Sequence, residues 1–138
     1  MYNYIKKNKF KVLVLPLILY WLILFIGTSL PSDNITDIFE VSDKIKHFGA
    51  YLGLAFLLSL NFYFQDKRKF LKKYFVLGTV LICSIYGVID ELHQLLVPNR
   101  SADIHDWLAD FLGSIVGIGI SCLFLKYLEK KEINLETN

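Results

Sequence analysis

Four long apolar runs, separated by short polar segments, make up most of the chain. They cover residues 12–30, 47–64, 74–97 and 107–127, and a helix needs roughly 20 mostly apolar residues to cross a bilayer. In lipid such runs must be helical, because each backbone N–H and C=O has to be hydrogen-bonded within the segment. The pattern predicts an all-α integral membrane protein, a single domain over residues 1–138 built as a bundle of four transmembrane helices.

Composition supports this prediction and narrows the functional classes. Apolar residues make up 54% of the chain and charged residues 20%, which is unlike a soluble globular protein. The net charge of +2 is small and its basic residues lie between the apolar runs, so no nucleic-acid partner is expected. Cys83 and Cys122 fall inside apolar runs, where they should pack as small hydrophobic side chains.

The first run follows a lysine-rich segment, as both spanning helices and secretory signal peptides do. No small-x-small cleavage site is evident after Ile26, although Gly27, Thr28 and Ser29 are small. We therefore favour a retained span over a cleaved signal peptide.

The distribution of lysine and arginine predicts the orientation. Basic residues are concentrated before residue 12, in the connection 65–73 and in the tail. The first connection carries mainly acidic residues, namely Asp33, Asp37, Glu40 and Asp43, beside Lys44 and Lys46. The third connection has Arg100 as its basic residue. Because cytoplasmic loops are the basic ones, both termini should be cytoplasmic and the first and third connections extracytoplasmic.

Polar residues gather at the extracytoplasmic ends of the second, third and fourth spans. The candidate functional or ligand-binding residues are Asp43, Lys44, His47, Tyr51, Asp90, Glu91, Gln94, Arg100, Asp106 and Asp110. A charged side chain inside a span is costly and is usually turned inward, paired or hydrated. The acids Asp90, Glu91 and Asp110 therefore require a partner such as Arg100, Lys44 or a cation.

Helical spacing places several of these residues on shared faces. Asp43, His47 and Tyr51 follow one another at i, i+4 on the second span, and Asp90 and Gln94 do so on the third. We expect each set to lie along one side of its helix.

On the fourth span one stripe is acidic at its start and small deeper in the helix. It consists of Asp106, Asp110, Gly113, Gly117 and Ser121. Gly113 and Gly117 form a small-xxx-small pair, as do Gly49 and Gly53 on the second span, and such pairs let helix backbones approach closely. The polar faces of the second and fourth spans should therefore meet.

Some of these residues also have a purely structural interpretation. Asp43 and Asp103 can cap helices, and His93 and His105 are more often solvated or hydrogen-bonded than catalytic at such positions. Tyr51 can be an amphipathic packing ring.

Two segments of the chain resemble the signatures of VanZ-like membrane proteins. The first is residues 43–51, and the second contains Asp90, Glu91, Gln94, Pro98, Arg100 and Asp106, followed by Gly113 and Gly117. The resemblance implies a multi-pass protein of the bacterial plasma membrane whose founding members are associated with resistance to the glycopeptide teicoplanin. One departure is Asp110, where the family commonly has asparagine.

Three functions remain open, and we favour the first. In it, the site binds a lipid head group, a cell-wall precursor or a glycopeptide, with Arg100 suited to a carboxylate or phosphate. The second is an enzyme acting on a lipid-linked or head-group substrate, with His47 and either Asp90 or Glu91 as base and acid. The third is a network that only clamps helix ends. His47, Asp90, Glu91 and Asp106 lack the compact spacing of known metal motifs, so we predict no metal and no cofactor.

Overall fold

The computed structural model describes residues 1–31 and 42–136. All regular elements in these two segments are helical: α1 Tyr2–Lys7, a π-helical turn Phe10–Val14, α2 Leu15–Thr28, α3 Asp43–Phe64, α4 Lys69–Lys73, α5 Phe75–Gln94 and α6 Ile104–Glu136. The acids Asp33, Asp37 and Glu40, predicted to dominate the first connection, lie outside the described residues.

Four helical segments are long and apolar enough to cross a membrane: Phe10–Thr28, Asp43–Phe64, Phe75–Gln94 and Ile104–Leu135. The predicted all-α membrane protein with four spans is therefore confirmed. These spans contain α2, α3, α5 and α6. Because α3 and α6 start at the same end of the bundle, they run parallel, while α5 between them in sequence runs the opposite way.

The helix limits differ from those predicted at several ends. Helix α3 begins at Asp43 rather than at residue 47, so Asp43 and Lys44 belong to its first turn. Helix α6 begins at Ile104 and continues beyond residue 127 to Glu136. An apolar run indicates only the membrane-embedded length of a helix, and the helix can continue through polar residues at either end.

Helix α5 ends at Gln94, before the predicted residue 97, and a tight turn follows. The turn is closed by a hydrogen bond from the Arg100 N–H to the Val97 carbonyl, 3.2 Å long. Pro98 stands at its second position and Asn99, with φ of 59°, at its third. Proline followed by a residue with positive φ is typical of a type II turn, which cannot continue a helix. The turn leads the chain back towards the start of α6.

The close approach of α3 and α6 organises the bundle. A Cβ at Gly113 would lie 2.2 Å from the Phe48 carbonyl oxygen, and one at Gly117 would lie 2.2 Å from that of Leu52. These distances leave no room for a side chain, so glycine is required for the contact. The stripe on the fourth span does face the second span, as predicted.

The other glycine pair behaves differently from the prediction. A Cβ at Gly49 would have nothing within 4 Å of it, and Gly53 faces the Tyr20 hydroxyl of α2 rather than α6. Spacing identified both pairs equally well, but only the pair on α6 mediates the contact between α3 and α6.

Helix α2 lies at the periphery of the bundle, and none of its residues is buried. Polar contacts attach it to α3: the Tyr20 hydroxyl donates to the Ala50 carbonyl at 2.9 Å, and Asn61 donates to the Leu13 carbonyl, just before α2, at 3.0 Å. In lipid, where apolar burial gives no drive for helix association, such hydrogen bonds hold helices together.

The buried interior of the bundle forms layers along its axis. The middle layer consists of Tyr51, Leu54, Ala55, Leu58, Cys83 and Ile118. A second apolar layer consists of Ile5, Leu13, Leu60, Phe64, Leu125 and Leu128 and lies towards the end that carries both termini. The remaining end, where α3 and α6 begin and α5 finishes, is polar inside.

Candidate functional site: a buried polar cluster

Seven of the ten predicted site residues are buried together at this polar end. We refer to them as the polar cluster: His47, Tyr51, Asp90, Glu91, Gln94, Asp106 and Asp110. The other three, Asp43, Lys44 and Arg100, lie at its rim. The structure therefore brings the ten predicted residues together at one end of the bundle, and the contacts among them explain this arrangement.

His47 and Asp110 form a buried pair between α3 and α6. The His47 Nδ1 lies 2.9 Å from Asp110 Oδ1, and Asp110 is only 1% exposed. Gly113 lies about one turn deeper on α6 and fixes the register of the two helices through its contact with Phe48. The glycine contact therefore positions the pair.

Glu91 connects the end of α5 to the start of α6. Its Oε2 accepts a hydrogen bond from the Asp103 N–H at 2.8 Å. Its Oε1 lies 3.9 Å from His47 Nδ1 and is buried with no hydrogen-bond partner among the described residues. One oxygen thus holds the carboxylate in place while the other is directed at the imidazole.

Asp103 caps α6 and attaches Lys44 to the rim. Its Oδ1 accepts the His105 N–H at 2.9 Å, and its Oδ2 lies 3.3 Å from Lys44 Nζ. The hydrogen bonds from the backbone and ring of His105, together with Lys44, lower the pKa of Asp103 from 3.8 to about 2. The capping interpretation of Asp103 is confirmed. Its N–H also orients the Glu91 carboxylate, a contact that the sequence did not predict.

Lys44 does not pair with the acids for which it was a candidate partner. Besides Asp103, its ammonium contacts Asp106 Oδ1 at 3.4 Å, rather than Asp90, Glu91 or Asp110. Of the three candidate partners named for those in-span acids, Lys44 is therefore not the one that pairs with them. The reason is positional: Lys44 lies one residue after Asp43 on the exposed side of α3 and reaches the surface of α6.

The remaining members of the polar cluster line its α5 side. Asp90 is 4% exposed and Gln94 2% exposed, which confirms that they share the inward face of α5. The Tyr51 hydroxyl, Gln94 Nε2 and Asp110 Oδ2 are buried without a hydrogen-bond partner in the described part of the chain. Several polar atoms in this interior are thus left unsatisfied by the protein itself.

Of the rim residues, Asp43 and Lys44 are exposed and Arg100 is half-buried. Asp43 is paired with Lys46 at 3.1 Å and its side chain is 61% exposed, so it lies at the surface, whereas His47 and Tyr51 on the same side of α3 are buried. Arg100 donates from Nε to the Leu30 carbonyl at 3.3 Å. That contact anchors the guanidinium beside the end of α2.

A cavity of about 290 Å³ opens beside the polar cluster. Its lining combines apolar and polar groups: Ile23, Leu24, Gly27 and Thr28 of α2, Asp43, Lys46, His47, Ala50 and Tyr51 of α3, and Asp90 and Arg100. The part played by α2 was not predicted, because this helix carries no charged residue that would have drawn attention to it. Its closing residues Gly27 and Thr28, small and partly polar, were the available signal.

The two histidines expected to have no catalytic role lie outside the polar cluster. The ring of His93 stacks on Phe25 at 5.1 Å with an interplanar angle of 22°. The side chain of His105 is 67% exposed and its Nδ1 lies 2.8 Å from Asp103 Oδ1. His105 is therefore hydrogen-bonded at the surface, as expected for its position.

Comparison with known proteins identifies the family. A family model described as VanZ/LLP1 matches residues 5–125, which include the whole polar cluster. The chain belongs to the VanZ/LLP1 family. The resemblance to VanZ-like proteins is thereby confirmed, and with four apolar helices this VanZ family protein is a multi-pass membrane protein.

A relative of this VanZ family protein occurs in yeast. The Saccharomyces cerevisiae protein YJR112W-A, described as uncharacterized, is 33% identical over 88 residues, which cover 59% of this chain and 79% of the relative. No solved structure matches the chain. The family assignment therefore rests on sequence, and the site on the geometry described above.

Proposed function

We propose that this VanZ family protein binds the anionic head group of a lipid or lipid-linked cell-wall precursor. The site would lie at the extracytoplasmic face of a bacterial plasma membrane, and its occupancy would alter susceptibility to teicoplanin. The observation that supports this most directly is the cavity, which joins an apolar wall on α2 to His47, Asp90 and Arg100. A lipid presents the same combination of an acyl chain and a polar head.

The size of the cavity favours a head group over a whole antibiotic. Its volume of about 290 Å³ is just below the usual range for small-molecule sites, roughly 300–1,000 Å³. A phosphate or carboxylate with its immediate substituents fits this space, whereas a glycopeptide does not. Any effect on teicoplanin would therefore act through a lipid or wall precursor.

Arg100 provides the chemistry for an anion. A guanidinium has five N–H donors in a planar fork and binds carboxylate or phosphate through two parallel hydrogen bonds. The Nε donates to the Leu30 carbonyl, which orients the group at the cavity wall. Lysine lacks this fork, so it would preserve the charge while losing the geometry.

The test compares Arg100→Lys with Arg68→Lys, the same change at the exposed arginine of the connection before α4. Each variant and the wild type are expressed in a teicoplanin-susceptible bacterium, with membrane abundance measured alongside the minimum inhibitory concentration. We expect the wild type and Arg68→Lys to raise that concentration and Arg100→Lys to return it to the level of cells without the gene.

Two results would contradict this proposal. One is full activity of Arg100→Lys at wild-type abundance. The other is native mass spectrometry of wild-type protein extracted with bacterial lipids in which no anionic lipid is retained. Binding of lipid without any change in teicoplanin susceptibility would retain the head-group site and reject the link to the antibiotic.

The orientation is part of the proposal and has its own measurement. The connection before α4 contains Lys67 and Arg68, and Lys69 begins that helix; the positive-inside rule assigns this basic segment to the cytoplasm. A single cysteine at Asn99 should react with an impermeant maleimide in intact cells, and one at Lys67 should not, in a background lacking Cys83 and Cys122. The reverse pattern would place the cavity on the cytoplasmic side.

A second candidate function is catalysis on the same class of substrate. His47 is buried, borders the cavity and lies 2.9 Å from Asp110. A carboxylate in this position orients an imidazole for general acid–base catalysis. Conversion of a lipid-linked substrate by the wild type and its loss in Asp110→Asn would favour this function over binding alone.

A further inference from the structure

The polar cluster contains more buried negative charge than its cationic neighbours can balance. Asp90, Glu91, Asp106 and Asp110 are each at most 9% exposed, and the buried group able to carry positive charge among them is His47. Lys44 reaches Asp106 from the surface, where its own side chain is 52% exposed. Arg100, which is half-buried, borders the same cavity as Asp90, so one histidine and two partly exposed cations face four buried carboxylates. Uncompensated carboxylates are costly in a membrane interior, so they either remain protonated or surround a cation.

Unsatisfied atoms distinguish a site from a simple cluster of acids. Glu91 is more than nine-tenths buried, and its Oε1 has no hydrogen-bond partner in the described segments while lying 3.9 Å from His47 Nδ1. Asp110 Oδ2 is likewise buried and unsatisfied. Buried polar atoms are nearly always paired with protein, water or a bound ion, so these two oxygens are available to a ligand that enters the cluster.

The spacing of the donor atoms fits a metal ion. One ligand atom each from His47, Glu91 and Asp106 lies within 4.8 Å of the others. Around an ion bound at about 2.0–2.2 Å, neighbouring donors lie about 3–4 Å apart. Small rotations of the side chains close that difference. We propose that His47, Glu91 and Asp106 bind one divalent transition-metal ion, Zn²⁺ or Mn²⁺.

The donor set determines the class of ion. An imidazole nitrogen with carboxylate oxygens suits Zn²⁺ and Mn²⁺, whereas Mg²⁺ and Ca²⁺ prefer oxygen donors alone. Asp90 and Asp110 form a second group with His47 whose ligand atoms also lie within 4.8 Å of one another. Their carboxylates increase the negative potential around the ion.

Neighbouring groups already orient the proposed ligands. The Asp103 N–H holds Glu91 Oε2 at 2.8 Å, which leaves Oε1 available for the ion. Asp110 Oδ1 holds the His47 ring through Nδ1 at 2.9 Å, as carboxylates commonly do for metal-binding histidines, so Nε2 is the ring nitrogen that would bind the ion. The ligands come from three different helices, which is why no metal motif is visible as a short sequence spacing.

The test measures metal directly and does not depend on the proposed head-group function. The full chain is purified in detergent without a polyhistidine tag, stripped with a chelator and titrated separately with Zn²⁺, Mn²⁺, Mg²⁺ and Ca²⁺. We expect about one Zn²⁺ or Mn²⁺ to bind and raise the thermal unfolding temperature, with Mg²⁺ and Ca²⁺ binding at least roughly tenfold more weakly. Lack of stoichiometric binding of Zn²⁺ and Mn²⁺ would overturn the proposal.

Matched variants assign the ligands. Glu91→Gln and Asp106→Asn should each weaken binding by roughly tenfold or more, whereas the exposed counterparts Glu129→Gln and Asp66→Asn, at the other end of the bundle, should bind as the wild type does. Size-exclusion profiles and helical content verify that each variant is folded. Unchanged affinity in folded Glu91→Gln, or loss of affinity in Glu129→Gln, would reject this site.

Discussion

The two ends of the bundle use similar polar residues in opposite ways. At the end carrying both termini, Lys9 pairs with Asp66, whose side chain is 60% exposed, Tyr63 hydrogen-bonds Glu129, and Lys72 lies 5.1 Å from the centre of the Tyr63 ring. At the other end, acids of the polar cluster are less than one-tenth exposed, and two of their oxygens, Glu91 Oε1 and Asp110 Oδ2, have no hydrogen-bond partner among the residues that the structure describes.

This difference separates structural polar contacts from a candidate site. Exposed pairs at the terminal end are hydrated whether or not they form, so they contribute little. Buried groups at the cluster end lose hydration that their protein partners do not replace in full. Buried ionisable groups of this kind in a membrane span are therefore candidates for a functional site.

The largest expected effect comes from removing one member of the buried pair. His47→Ala leaves Asp110 without its partner, and breaking a buried pair costs about 3–5 kcal/mol. Unfolding in mixed micelles, with a chelator present so that metal does not contribute, should show this loss. Asp66→Asn, which breaks the exposed pair with Lys9, should leave stability unchanged within error. Equal losses of stability in the two variants would show that the buried pair contributes no more to stability than the exposed pair.

The next effect concerns the helix contact that holds the polar cluster together. Gly113→Ala places a methyl group against the Phe48 carbonyl oxygen, and overpacking of this kind costs about 1–3 kcal/mol. Gly119→Ala is the matched control on the same helix, since nothing lies within 4 Å of its Cβ position. Folded yield and the free energy of unfolding should fall for Gly113→Ala alone. Normal stability of that variant would mean that α3 and α6 are further apart than described.

The smallest effect is the pH dependence of the rim. The pKa of Asp103 is lowered from 3.8 to about 2 in the folded protein. Its charge therefore contributes stability above the unfolded-state pKa, and this contribution is lost as the pH falls from 3.8 towards 2. Asp103→Asn retains a capping side chain and should melt below the wild type near neutral pH. A difference that persists undiminished near pH 2 would contradict the assignment.

Much of the fold was predictable because hydropathy and helical period act locally. Runs of apolar residues predicted four spans, and a spacing of three or four residues predicted the buried stripe from Asp106 to Ser121. The in-span acids Asp90, Glu91 and Asp110 were recognisable because their desolvation cost is high wherever they point. These inferences depend on single segments of the chain and not on how the helices pack against one another.

Contacts between helices were not predictable in the same way. Lys44 was one candidate partner for the in-span acids but contacts Asp103 and Asp106, and Gly49 was expected to pack but faces open space. A residue's position in the helical period defines its face, whereas the neighbour across that face depends on the rotation and axial shift of another helix. Asp103 was identified as a cap, yet its link to Glu91 required the path of the turn at Pro98.

The sequence alone determined the number of spans, the end of the bundle where the in-span acids gather, and the inward-facing side of α5 and α6. Each of these follows from transfer free energies along one continuous segment. The tertiary structure decided that His47 meets Asp110, that Glu91 has one anchored and one unsatisfied oxygen, and that α2 walls the cavity. Those results depend on close backbone contact at Gly113 and Gly117, which brings distant segments to within hydrogen-bonding distance.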